Sequence, residues 1–384
     1  MIYLDNAATS WPKPPSVAEA MTDFMDHIGA NPGRAGHRLA VKAGQLVYLA
    51  REAVAEIFHA PDPLRIVFGY NITESLNLGL KGILNPGDHV ITSSMEHNSM
   101  IRPLRELQKY GVELSIVKCD VEGRLSPSDV EAQIRSNTKL IAITHASNVV
   151  GTLIPIRDIG AICRKHDILM LVDTAQSAGS YPIDMQRDNI DLLGFTGHKS
   201  LCGPTGTGGL IIGERVDEKQ MKPLIQGGTG SYSEHEEQPF FLPDAMESGT
   251  LNGVGLAGLI AGIEWIQKEG LDNIRHHDMM LTQQLINGLL QIPKCIVYGT
   301  HDARKQTSTV SFNIKGMASS EVGLRLDEEY DILCRIGLHC APMAHKTIGT
   351  FPNGTVRFGI SYFNTNDDIK RAIEAVAGLS QEIT

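Results

Sequence analysis

Ile168-Leu169-Met170-Leu171-Val172-Asp173-Thr174-Ala175-Gln176 is the stretch on which the fold turns. Five apolar residues without a polar break describe a strand buried on both faces, and such strands belong to sheets covered by helices on either side. The Asp that closes the run would stand at a strand's C-terminal end, where open α/β sheets gather their ligands. A second run, residues 191–196, leads into Gly197-His198-Lys199-Ser200, so Lys199 comes 26 residues after Asp173. Upstream, the runs 65–68, 89–92, 113–117 and 139–144 alternate with helical patterns such as 100–110 and 157–166. Strands separated by helices predict an α/β domain with a mainly parallel sheet flanked by helices.

After about residue 255 the texture changes. Two long helical patterns, 255–269 and 271–292, precede strand candidates at 296–298, 309–314, 332–335 and 356–361, and residues 367–380 form a closing amphipathic helix. This reads as a smaller α+β C-terminal domain. We expect residues 16–258 to form the large domain and residues 1–15 with 259–384 the small one. Helical patterns at 16–28 and 39–59 flank the Gly-, Asn- and Pro-containing residues 29–36, which read as a loop held near a site. The glycine-rich residues 203–209 fit neither a dinucleotide fingerprint nor a P-loop, and are expected to be a tight turn feeding a strand.

Composition removes several function classes. The chain of 384 residues carries 44 acidic against 34 basic residues, a formal net charge of −10, with no block of Lys and Arg to serve as a nucleic-acid footprint. It opens Met1-Ile2-Tyr3-Leu4-Asp5 with no targeting pattern and has no uninterrupted apolar run of roughly 18 residues, so a cytoplasmic protein without a membrane segment is expected. Six cysteines occur without a C-x-x-C pair, which suggests neither a disulfide framework nor a metal site.

The chemistry is concentrated in a few polar groups. A carboxylate such as Asp173 can hold a pyridinium nitrogen protonated, and an amine placed as Lys199 is can bind pyridoxal 5′-phosphate (PLP) covalently. Taken alone, the two residues read better as a surface salt bridge. Asn71-Ile72-Thr73-Glu74-Ser75 follows a strand and opens the helical pattern 76–84, so Thr73 and the amides beside it can grip a phosphate at a helix N-terminus, or Thr73 can be simply an N-cap.

With these motifs in order the chain resembles the class V, fold type I PLP enzymes, from Tyr3-Leu4-Asp5-Asn6-Ala7-Ala8-Thr9 to Val356-Arg357-Phe358-Gly359-Ile360-Ser361. Between them stand Glu96-His97-Asn98-Ser99, Ser147-Asn148-Val149-Val150-Gly151, Val172-Asp173-Thr174-Ala175-Gln176 and Thr196-Gly197-His198-Lys199. The resemblance implies a seven-stranded sheet, a covalent PLP on Lys199, His97 stacked on the ring, and Asn148 near both ring hydroxyl and substrate carboxylate. It also implies Gln176 at the ring oxygen and Thr73, Glu74, Thr196 and His198 around the phosphate. The family usually has Ser where this chain has Thr196; the hydroxyl is retained. Ala245-Met246-Glu247-Ser248-Gly249-Thr250-Leu251-Asn252 resembles the segment that sends a Thr hydroxyl into the partner subunit's phosphate site, which implies a homodimer using Thr250; otherwise this is a helix N-terminal turn.

The choice of reaction rests on Arg335-Ile336-Gly337-Leu338-His339-Cys340-Ala341-Pro342, which resembles the catalytic-cysteine segment of the SufS-like, group II cysteine desulfurases. Leu338 replaces one of two His often found there. A useful thiol needs nearby cations and exposure, and His339 and Arg335 supply basic groups close in sequence; a buried, inert thiol is the other reading. Arg357 matches the position that binds the substrate α-carboxylate, with Ala8 and Asn148 beside it, or it serves a structural salt bridge. The expected activity is conversion of L-cysteine to L-alanine with sulfur passed to Cys340 and on to an acceptor protein or small thiol. Catalysis would be carried by Lys199, Cys340 and His97. The alternatives are a selenocysteine lyase acting on L-selenocysteine, a C–S lyase, another class V aminotransferase-like enzyme, or a PLP-free sulfur-relay scaffold.

Overall fold

The computed structural model describes residues 1–32 and 36–382, so part of the loop expected at 29–36 lies outside the described residues. The strands in chain order are β1 (Ile2–Tyr3), β2 (Ile66–Gly69), β3 (His89–Ser93), β4 (Glu113–Val117), β5 (Thr138–Thr144), β6 (Leu169–Asp173), β7 (Leu192–Thr196), β8 (Gly208–Ile212), β9 (Cys295–Tyr298), β10 (Thr309–Ile314), β11 (Ile332–Leu333), β12 (Arg335–Gly337) and β13 (Thr355–Gly359). The helices are α1 (Pro15–His27), α2 (Arg38–Phe58), α3 (Ile72–Ile83), α4 (Asn98–Lys109), α5 (Pro127–Glu131), α6 (Ile156–Lys165), α7 (Gly253–Glu269), α8 (Leu271–Leu290), α9 (Ser319–Tyr330), α10 (Pro342–Thr347) and α11 (Asn366–Gln381).

Seven strands form the large sheet in the order β2-β8-β7-β6-β5-β3-β4. The neighbours are parallel except at β8, which runs antiparallel to both β2 and β7. Alternate residues of each strand enter opposite cores, as the period of two demands. Ile141, Ile143, Met170, Val172, Leu193 and Phe195 face one layer with α2, α6 and α7. Leu140, Ala142, Leu171 and Leu192 face another with α3 and α4. Helix and sheet approach closely at Gly194, where a Cβ would lie 2.8 Å from the Ile72 side chain.

A second, antiparallel sheet, β12-β13-β10-β9, packs on α8, α9 and α11 around Phe312, Phe358, Leu285 and Val376. Ile2 and Leu4 enter this same core, because β1 pairs in parallel with β11 and Asp5 bridges to Gly359. The strand expected at 332–335 is split: Ile332 and Leu333 pair with β1, whereas Arg335–Gly337 turns to pair with β13. α9 was not expected, since only Val322 and Leu326 of its twelve residues are buried and its apolar period is correspondingly weak. Among the described residues no helix is long and apolar enough to cross a membrane.

Candidate functional site

β3, β5, β6 and β7 are parallel, and their C-terminal ends deliver His97, Asn148, Asp173 and Lys199 to one edge of the sheet. Asp173 is 2 % exposed. Its backbone carbonyl accepts from His145 N at 2.9 Å and its Oδ1 accepts from Ala175 N at 2.9 Å. Burial pushes the carboxyl's pKa up, against the pull of the Ala175 amide and the Lys199 cation. Lys199 Nζ makes no hydrogen bond to a described residue. Desolvation lowers its pKa to about 8, opposed by Asp173 and reinforced by Arg357 and Arg335. An amine so lowered reaches half neutral at about pH 8, far below an ordinary lysine, and its neutral fraction is able to act as base or nucleophile.

His97 caps α4: Ser99 N–H donates to its Nδ1 at 3.1 Å, which leaves the neutral ring's proton on Nε2. Burial and then Lys199 push its pKa down to about 4, so the ring is neutral at pH 7. Beside it, Glu96 is fully buried, with Ser93 Oγ donating at 2.6 Å and Thr144 N at 3.0 Å, and burial raises its pKa to about 8. A proton on Glu96 avoids a second charge next to Asp173. Sequence reasoning quoted Glu96 only as part of a motif, and a buried neutral carboxyl leaves no compositional trace.

Thr73 is not an N-cap. Asn71 occupies that position, its side chain accepting from Glu74 N at 3.2 Å, and Thr73 sits in the first turn with Oγ1 2.7 Å from Ser99 Oγ. This hydroxyl pair joins the N-termini of α3 and α4, both of which open at the strand ends. The Glu74 carboxylate turns back to accept from Tyr70 N at 2.6 Å. Together with the exposed Thr250 it lines a separate cavity of about 260 Å³ that includes neither Asp173 nor Lys199. A buried ion pair, Arg51 to Glu247 at 2.6 Å, ties the segment before Thr250 to α2, and Thr250 Oγ1 lies 3.4 Å from Asn31 Nδ2.

The N-terminal segment clamps the lysine loop, which sequence reasoning also missed. Ser10 Oγ donates to the Lys199 carbonyl at 2.7 Å, while Thr9 Oγ1 and Lys13 Nζ donate to the His198 carbonyl at 3.0 and 2.8 Å. Lys13, lowered to about 8 by desolvation, has no carboxylate partner among the described residues. The His198 ring lies 3.2 Å from Thr9 Oγ1 and is neutral, pushed to about 4 by burial. Thr196 Oγ1 donates to the Thr207 carbonyl at 3.4 Å and is 1 % exposed. Gln176 Nε2 donates to the Ala7 carbonyl at 3.0 Å, placing the residue beside Ala8.

Arg357, on β13 and 1 % exposed, closes the site from the smaller sheet. It donates to Asp5 Oδ1 at 2.9 Å and to the Asn148 carbonyl at 3.0 Å. The Asn148 amide in turn donates to the His339 carbonyl at 2.6 Å. Cys340 follows, between β12 and α10, with both His339 and Cys340 in the left-handed region at φ 46° and 58°. The thiol is exposed, and Arg335 Nη2 lies 3.6 Å from its sulfur. His339 does not supply the second cation expected beside it. Its ring is buried, bonded through Nε2 to Thr355 Oγ1 at 3.0 Å, and its pKa is pushed down to about 2 by burial and by Arg357. Each of the other five cysteines is at least partly buried and has its pKa pushed up to about 11 or 12 by desolvation.

The donor set suits PLP. Asp173 receives one amide bond and lies deep in the site, and Lys199 carries an unengaged amine. Asn148 Oδ1 and Arg357 Nε are buried without a hydrogen-bond partner among the described residues, an arrangement that costs free energy until a polar ligand engages them.

Residues 2–372 match the aminotransferase class-V family. A probable cysteine desulfurase of Methanothermobacter thermautotrophicus is 35 % identical over 386 aligned residues, covering 98 % of this chain and 95 % of that protein. The cysteine desulfurase IscS of Shewanella piezotolerans is 34 % identical, covering 98 % and 91 %. Among solved structures, the apo cysteine desulfurase of Thermococcus onnurineus NA1 superposes with a TM-score of 0.93 at 33 % identity, covering 99 % of this chain and 94 % of that one. The Escherichia coli cysteine desulfurase CsdA gives a TM-score of 0.87 at 28 % identity, covering 100 % and 95 %.

Proposed function

The chain belongs to the class-V aminotransferase family and, within it, to the cysteine desulfurases, and from that premise we propose that it desulfurates L-cysteine through Cys340 with PLP held at Lys199. One observation carries the assignment of the sulfur-accepting group: of six thiols, only that of Cys340 is exposed, and it lies beside a guanidinium at the edge of the Asp173–Lys199 site. The short stretch between β12 and α10 that carries it supports the SufS-like, group II branch.

PLP, when bound, supplies an electron sink for charge released at the substrate's Cα. Asp173 would hold a proton at the ring nitrogen, helped by the charge-free Glu96. Thr73, His198 and Thr196, with the first amides of α3, would hold the phosphate, and Gln176 and Asn148 would meet the ring oxygen. Arg357, aligned by Asp5 and the Asn148 carbonyl, would orient the substrate carboxylate beside Ala8. Lys199 takes the Cα proton, and its lowered pKa leaves the amine free to do so. His97, neutral and with its proton on Nε2, is suited to pass protons to and from the substrate.

The Cys340 sulfur, as thiolate and beside the Arg335 guanidinium, attacks the sulfur of L-cysteine. An S–S bond forms as the substrate Cβ–S bond breaks, and the electron pair of that bond leaves with the carbon fragment. The fragment takes up the proton that the substrate thiol had carried and departs as alanine. The persulfide left on Cys340 is passed to an acceptor protein or small thiol; no external oxidant or reductant is needed for its formation. We also propose cytoplasmic action as a homodimer, in which the exposed Thr250 hydroxyl completes the partner's phosphate site. The division into a large domain, 16–258, and a small domain, 1–15 with 259–384, forms part of the same proposal.

Product analysis with L-cysteine tests the reaction. Alanine in equal amount to transferred sulfur is expected, whereas pyruvate with ammonia would show a C–S lyase.

A further inference from the structure

Away from the Lys199 site lies a cleft of about 500 Å³, within the size range of small-molecule sites. His145 lines it and is 3 % exposed. Its Nδ1 lies 2.9 Å from Ser177 Oγ, while its Nε2 has no partner among the described residues and is not among the polar atoms sealed from solvent. A buried imidazole therefore presents one nitrogen to the cleft.

Five cationic side chains line the same cleft: Arg124, Arg157, Arg187, Arg304 and Lys305. Three carboxylates partner four of them, Glu122 with Arg124, Asp188 with Arg187, and Asp302 with both Arg304 and Lys305. Arg157 has no carboxylate partner among the described residues. Two positive charges are thus in excess over the carboxylates that pair directly with these side chains, on a chain whose formal net charge is −10. Such a local reversal of sign concentrates anions. The start of α6 also faces it: Ile156 and Arg157 line the cleft and the Pro155 cap provides no side-chain acceptor for the first-turn amides, while Asp158, which does not line the cleft, places one carboxylate in that turn.

We propose that this cleft binds a small anion bearing phosphate or pyrophosphate groups. Guanidinium forks match phosphate oxygens in pairs, and four of the five cations are arginines. The cleft is concave and of small-molecule size, which disfavours an extended acidic polypeptide. Occupancy would reach the Lys199 site through a backbone hydrogen bond and through the chain itself, because His145 N donates to the Asp173 carbonyl and residues 145–153 also carry Asn148. The binding itself does not depend on the desulfurase reading.

Calorimetric titration of the PLP-loaded full chain with inorganic pyrophosphate at low ionic strength tests the proposal. Loading keeps pyrophosphate from the cofactor's own phosphate site. The expected result is one pyrophosphate per chain, weakened about tenfold or more in Arg157→Ala and in Arg304→Ala/Lys305→Ala, with the cofactor's absorbance unchanged. These side chains lie at the surface, so both variants should fold. Absence of binding, or an affinity unchanged in both variants, overturns the proposal. So does loss of the cofactor band on titration, which would place the anion at the PLP site. Equal affinity for citrate would reduce the cleft to a general anion trap, and binding of a hexaglutamate peptide without pyrophosphate would assign it to an acidic protein partner; either result also overturns phosphate recognition.

Discussion

The Cys340 carbonyl accepts a hydrogen bond from the Asn98 amide at 2.8 Å, so the residue bearing the exposed thiol is fastened to the first turn of the helix that His97 caps. Asn98 belongs to the large-sheet unit and Cys340 to the segment between β12 and α10. A bond across that junction holds the residue with the exposed thiol and the helix capped by His97 in fixed relation.

Cys340→Ser should leave cofactor binding intact and reduce alanine formation from L-cysteine by at least about a hundredfold, since a hydroxyl is a far poorer nucleophile toward sulfur. Cofactor absorbance and product chromatography check the two halves. A wild-type rate would make the thiol a bystander. Retained turnover of L-selenocysteine alongside lost turnover of L-cysteine would point to a selenocysteine lyase.

Arg335→Ala should slow alkylation of Cys340 by iodoacetamide at pH 7 several-fold, because it removes the guanidinium that lies 3.6 Å from the sulfur. Mass spectrometry of the modified cysteine supplies the rate. An unchanged rate would mean that some other group sets its reactivity.

Lys199→Ala should abolish turnover, and borohydride treatment of the wild type should leave the pyridoxyl group on Lys199. Peptide mapping decides; the assignment is falsified if the adduct sits on another lysine.

Lys13→Met should speed PLP loss several-fold while leaving overall secondary structure unchanged, because it removes the charge-assisted bond to the His198 carbonyl but not those from Thr9 and Ser10. The rate of PLP loss during dilution is the measurement, and Lys13→Arg should restore much of the retention. Equal loss rates for Lys13→Met and wild type would reduce this clamp to a structural ornament.

Acid should destabilise the fold through His339 and His345, whose rings lie 5.5 Å apart and whose pKa values burial lowers to about 2 and about 4. Unfolded histidines protonate near pH 6.5, so below that value the unfolded chain binds protons that the folded one refuses. This part of the stability is present above about pH 6.5 and lost as pH falls toward 4. His345→Gln should therefore show a smaller fall in Tm between pH 7 and 5 than the wild type does; an equal fall would mean these rings do not contribute.

Much of the large sheet was legible because its strands are apolar on both faces and its helices carry a clear period. The run 113–117 is a strand as expected, and 168–173 and 191–196 each begin one residue later than expected. Asp173 could be placed at the end of β6 because a polar residue closing an apolar strand stands out, whereas Lys199, in the loop after β7, was singled out only with the family resemblance. What escaped were relations between distant polar groups. Nothing in the spelling of Asp5 announces that it will hold Arg357, and nothing in Lys13 announces the His198 carbonyl. His339 misled for a related reason: adjacency in sequence placed an imidazole beside the thiol, whereas successive left-handed residues turn it toward Thr355 and the interior.

The pairing of Ile2 and Tyr3 with Ile332 and Leu333 also has a temporal side. A ribosome delivers the first of these strands long before the second, so β1 must spend most of the chain's synthesis without its neighbour. At about 5–20 residues per second, that interval is on the order of 15–70 seconds. The large sheet has all seven of its strands once residue 212 has emerged, whereas the Asp5 bridge to Gly359 and the Asp5–Arg357 bond must wait for the last quarter of the chain. Truncating the chain before β11 should therefore leave the large sheet's strands complete but Asp5 without its arginine, a nascent protein with Lys199 already in its chain and without the guanidinium proposed to hold the substrate carboxylate.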